Sequence, residues 1–166
     1  ADGATDEHLV PFLARVTRWL GDGADVLFSE FGLPTFAEDR EDGREPEPML
    51  VGERDAATYM ARVIEGLREA GCTGAMVWCH ADYAPDIWGS PPLDRARHER
   101  SFGLWRADGS AKPALAEVTA FAGRSRLDTP REDWIDLDRA AYWLDPAAAL
   151  ARLYRRYREH GATVQR

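Results

Sequence analysis

The chain contains no asparagine, only two cysteines in 166 residues, and no apolar run near the roughly 20 residues of a membrane span. Positive charge is also scarce, with 21 Lys and Arg against 29 Asp and Glu and a formal net charge of −8. Nucleic acids and anionic membranes need clustered positive charge, so neither is an expected partner. Cys72 and Cys79 stand seven positions apart, which fits no zinc spacing. On one strand they would lie about 23 Å apart, beyond disulfide reach. Two buried thiols are expected, with no metal and no cofactor. The first eight residues have neither the basic start nor the apolar stretch of a signal peptide, and the chain reads as soluble, its compartment (cytoplasmic or secreted) left open. What is present, 45% hydrophobic and 30% charged residues, suits a packed core.

The apolar positions Leu9, Phe12, Leu13, Val16, Trp19 and Leu20 recur at three and four, one face of a helix that Gly21 would end. Residues 25–32 form a short apolar run between glycines, which predicts a strand buried on both faces, as in parallel sheets. Residues 33–54 are acidic and hold Pro34, Pro46 and Pro48, so they read as a long loop. Asp55 is the expected N-cap of a second helix with the stripe Tyr59, Met60, Val63, Ile64, Leu67 and Ala70. Residues 74–79 repeat the buried-strand pattern, residues 80–112 form a second long connection, and Pro113 opens a helix to Phe121. Asp145 and Pro146 begin a last helix with the inner stripe Leu150, Leu153, Tyr154 and Tyr157. Helices that bridge consecutive strands are the mark of βαβ units. Both long loops leave the C-terminal ends of strands, where parallel α/β folds bind ligands, so a site is expected around residues 29–35 and 78–83.

Glu30 is the main candidate there, an ionisable group at the end of an apolar strand. Burial of a carboxylate is costly unless it is paired, so it is either a working carboxylate or one salt-bridged to a neighbouring Arg. Trp78 and Trp88 suit the apolar faces of sugar rings, and His80, Asp82 and Tyr83 can hydrogen-bond hydroxyls; the plainer reading is that Trp78 fills the core and Trp88 covers a loop. Arg152, Arg155, Arg156 and Arg158 read as the solvated face of the last helix. Asp133, Asp136 and Asp138 lack the glycine and later glutamate of a calcium loop, so no metal is assigned.

Phe28-Ser29-Glu30-Phe31-Gly32 resembles the segment that ends strand seven in clan A retaining glycoside hydrolases, notably cellulase-like family 5. Residues 74–80 are similar to that family's strand eight, whose closing Trp lines the subsite of the reacting sugar. The run from Phe102 through Asp108-Gly109 to Lys112-Pro113 resembles its closing segment before helix eight. The resemblance implies a double displacement with Glu30 as nucleophile and a second carboxylic acid that protonates the leaving oxygen. In the family that acid follows an Asn at the end of strand four, and a chain with no Asn lacks it. Asp82 and Glu99 lack the expected strand context and read instead as substrate-contacting or structural. His98-Glu99-Arg100 reads as an ion pair that orients the loop.

A complete barrel needs about 200 residues or more. The expected fold class is therefore α/β: the C-terminal part (helix 6 to helix 8) of a (β/α)8 TIM barrel over residues 1–122, plus a C-terminal helical extension, residues 123–166, whose terminal helix packs on the barrel. The expected function is retaining hydrolysis of a β-glycoside. The expected partners are a carbohydrate substrate and the remainder of the barrel, strands 1–6. The alternatives are a non-catalytic carbohydrate-binding, degenerate barrel fragment and a self-contained small α/β protein.

Overall fold

Each apolar stripe at helical spacing becomes a helix in the computed structural model, which describes residues 5–37, 49–128 and 132–164. Helix α1 (Leu9–Leu20) leads to strand β1 (Leu27–Phe31) and the two-residue strand β2 (Thr35–Phe36). Strand β3 (Val51–Gly52) precedes α2 (Glu53–Glu69), β4 (Gly74–Val77), α3 (Pro113–Phe121), α4 (Arg139–Leu144) and α5 (Pro146–Val164). Two 3-10 turns, Pro85–Ile87 and Arg97–Ser101, lie in the connection between β4 and α3. Helix α2 begins two residues before the expected Asp55 cap, with Gly52 as N-cap and with Glu53 and Asp55 both in the first turn. Acidic groups there complement the helix dipole, which accounts for a start that the capping pattern alone misplaced.

Strands β1 and β4 pair in parallel, the arrangement that a connecting helix such as α2 makes possible. Two short parallel pairings, Thr35 with Val51 and Phe36 with Gly52, join the two ends of the segment expected to be all loop. Half of that expected loop, residues 38–48, lies outside the described residues. One core lies between the sheet and α2: Val26, Phe31, Leu33, Met60, Val63 and Leu67 are buried together, with Val118 of α3 against them. A second core forms on the other side of α1, where Phe12 and Val16 meet Trp134, Tyr142 and Leu153. Helix α1 is therefore shared, and its wide apolar face serves both. Phe12 packs edge-on against Tyr154 at 4.9 Å and lies 5.8 Å from Trp134.

The strands are not buried on both faces as expected. In β1 only Phe31 is buried, and Leu27 is 58% exposed; in β4 Met76 is 52% exposed. The helices cover one face, and among the described residues the sheet has only these two strands. Among the described residues only one face of the sheet finds a partner, against the expectation of two. Of the two cysteines, Cys72 is buried and Cys79 half-buried.

Several members of the two charged segments find partners within the chain. Asp136 pairs with Arg152 at 2.6 Å and with Arg156 at 3.3 Å, and the Asp138 carboxylate accepts from the Ala141 N–H at 2.7 Å to cap α4. Among the described residues no group of three or more His, Cys, Asp or Glu is placed to hold a metal ion. No described helix is long and apolar enough to cross a membrane.

Candidate active site

The pairing of β1 with β4 slips by one residue just where Glu30 lies. Phe28 is opposite Ala75 and Phe31 opposite Val77, so Ser29 and Glu30 together face Met76 alone. Such a bulge re-aims the side chains of the longer strand. Phe31 turns into the helix-side core, which leaves Glu30 on the opposite, uncovered face. Glu30 is exposed, and among the described residues its side chain forms no ion pair and no hydrogen bond. The expected burial is not found, nor is the Arg partner of the alternative reading: among the described residues no element covers the face on which the carboxylate lies.

Beyond the strand ends lies an open cleft of about 220 Å³, lined by Glu30, Phe31, Gly32, Trp78, Glu99 and Phe102. The backbone brings these together closely. The Trp78 N–H donates to the Phe31 carbonyl at 2.8 Å, and the Cys79 N–H to the Phe102 carbonyl at 3.1 Å. At Gly32 a Cβ atom would fall 2.0 Å from the Trp78 carbonyl oxygen, so only glycine allows β1 to pass this near to the end of β4. Gly103 is equally constrained, since a Cβ there would lie 2.2 Å from the Asp82 nitrogen.

Of the six residues singled out from the sequence, Glu30 and Trp78 line the cleft; His80, Asp82, Tyr83 and Trp88 do not. His80 is exposed beside it. Trp88 is half-buried, its indole N–H donates to the Tyr83 carbonyl at 2.8 Å, and the Arg100 guanidinium lies over its ring at 5.0 Å, so it staples its own loop. Asp82 is held by the chain itself. Its Oδ1 accepts from Lys112 Nζ at 2.7 Å and from the Gly103 N–H at 2.8 Å. Burial raises its pKa above the usual aspartate range, and the hydrogen bond from Lys112 works against that rise.

Glu99 lines the cleft, with His98 Nε2 3.3 Å from its carboxylate. Phe102 and Lys112 were not singled out as site residues. The available signal was that Lys112 is the sole lysine of the chain and directly precedes Pro113.

No family model matches the sequence, and comparison with curated proteins gives no match. Solved structures do match. A GH5_18 protein from Bifidobacterium longum subsp. longum, in complex with Manβ1-4GlcNAc, superposes with a TM-score of 0.56 at 20% identity over 76% of this chain and 27% of its own. The exo-β-1,4-mannosidase Op5Man5 from Opitutaceae bacterium strain TAV5 gives 0.55 at 23% identity, covering 72% of this chain and 18% of its own. A β-glucuronidase from Bifidobacterium dentium, complexed with coumarin-3-O-glucuronide, gives 0.52 at 20% identity, covering 75% and 19%. The likeness shows the fold: part of a TIM barrel of the kind these glycoside hydrolases have. The chain spans about a quarter of the length of the first solved structures it matches.

Proposed function

We propose that this chain is the segment from helix 6 to helix 8 of a retaining β-glycosidase barrel, and that Glu30 is the nucleophile of that enzyme. On this reading β1 is strand seven and β4 strand eight, residues 1–122 belong to the barrel, and residues 123–166 are an extension docked on α1. The single observation that carries the reading is an unpaired carboxylate at a bulged strand end, in a cleft walled by Trp78 and Phe102.

Glu30 attacks the anomeric carbon from one face of the sugar, and the glycosidic bond breaks as an acid from the rest of the barrel protonates the leaving oxygen. Water, deprotonated by that same group, then releases the sugar and restores Glu30. The Trp78 ring gives the apolar face of the sugar a flat surface to lie on. His80 and Tyr83, which follow Trp78 in the same segment, serve the more distant parts of a glycan, whereas Trp88 holds the loop itself. No Arg or Lys lines the cleft among the described residues, which favours an uncharged sugar over a uronic acid. This agrees with the Manβ1-4GlcNAc seen in one of the matched proteins.

In the protein that carries this chain, Glu30→Gln should lower kcat on a nitrophenyl β-mannoside at least ~10³-fold. A wild-type protein that binds the glycan but turns over no glycoside would instead favour a carbohydrate-binding barrel without catalysis.

A further inference from the structure

Lys112 sits at the N-cap of α3 and is 4% exposed, an unusual place for an ammonium. A buried Lys must satisfy three N–H donors. Here it finds three acceptors: Thr35 Oγ1 at 2.8 Å, Asp82 Oδ1 at 2.7 Å and the Ser101 carbonyl at 3.0 Å. Each acceptor belongs to a different chain segment that carries a cleft-lining residue. Thr35 lies five residues after Glu30, Asp82 four residues after Trp78, and Ser101 directly before Phe102. Asp82 extends the network through the Gly103 N–H at 2.8 Å, and the Thr35 hydroxyl lies 3.2 Å from the Ser101 carbonyl.

We propose that Lys112 and Asp82 are positioning residues of the cleft: one buried ion pair holds the strand end bearing Glu30, the loop bearing Trp78 and the segment bearing Phe102 in a single relative arrangement. Neither group reaches the cleft itself, so both act through what they hold. In its kinetic part the inference rests on the glycosidase reading; in its geometric part it does not. A misplacement of about 1 Å in a reacting geometry costs on the order of 10²-fold in rate, so a loosened lock should appear in kcat more than in KM.

The test uses the protein that carries this chain, labelled with 5-fluorotryptophan, with the Trp78 fluorine resonance assigned by Trp78→Phe. Two variants are compared: Lys112→Met, which removes the ammonium, and the milder Thr35→Val, which removes one acceptor without leaving a charge unpaired. The expected result is a shifted or broadened Trp78 resonance with the Trp134 resonance of the second core unmoved. On a nitrophenyl β-mannoside, kcat should fall roughly 10- to 100-fold while KM changes less than about 3-fold. A Trp78 resonance that stays in place in the folded variants overturns the positioning role, even if the melting temperature drops. If the wild type hydrolyses no glycoside, the glycosidase reading fails, and the resonance alone decides the positioning role.

Discussion

Around Phe12 the chain encloses its own side chains: α1, α4, α5 and Trp134 surround a cluster in which Phe12 and Leu153 are almost wholly withdrawn from water. Around Leu27 and Met76 it does not, although these residues lie within β1 and β4. Both regions draw on the same kind of apolar sequence. They differ in where the second surface comes from. The helical core is completed by residues 132–157 of this chain, whereas no described residue covers the outer face of the sheet. An exposed apolar strand face whose two edges are unpaired among the described residues is a place where another element can dock. On the proposed reading that element is the rest of the barrel, and the carboxylate on the uncovered face is the one that works.

Three experiments can break or sharpen this contrast. The largest effect is expected in the finished core, where Phe12→Ala should cost about 3–5 kcal/mol in urea denaturation. A loss below about 1 kcal/mol would mean that the second core is not tightly packed.

Leu27→Ser comes next, and its size should depend on context. In this chain produced by itself the change should stay within about 0.5 kcal/mol, because Leu27 is already mostly in water. In the protein that carries the chain it should cost about 1.5–3 kcal/mol, the worth of a buried Leu side chain. Equal, small effects in both settings would break the comparison.

The smallest effect concerns the ion pairs that hold α5. The hydrogen bond from Arg152 holds the Asp136 carboxyl below its ordinary pKa, with the Arg152 and Arg156 charges adding to it. For an acid with a lowered folded-state pKa, the stabilisation is present above the unfolded value and is lost as pH falls through the folded one. Acidification below the ordinary aspartate range should therefore weaken the docking of α5, and Asp136→Asn should make stability less sensitive to pH in that window. A pH profile identical to that of the wild type would assign the acid sensitivity elsewhere.

Much of the fold was legible because periodicity is a local property. The stripes of α1, α2 and α5 and the two apolar runs locate the main elements, and the long loops point to the cleft. What escaped depends on partners far away in sequence. The strands read as buried on both faces because an apolar run carries no mark of which face is covered, and among the described residues only one is. The bulge at Ser29 and Glu30 is a matter of register between strands 45 or so residues apart, and no local pattern encodes it. Asp82 read as substrate-contacting or structural, and the choice could not be made locally because its partner Lys112 lies 30 residues on. The six-residue α4 was missed because exposed Trp143 and Leu144 blur its apolar face.

The central claim is that Glu30 attacks a sugar. Incubation of the protein that carries this chain with a 2-deoxy-2-fluoro β-glycoside bearing a good leaving group should leave a covalent glycosyl adduct, and peptide mass spectrometry should place it on Glu30. An adduct on any other carboxylate, or steady hydrolysis of the parent glycoside by Glu30→Gln, would contradict it.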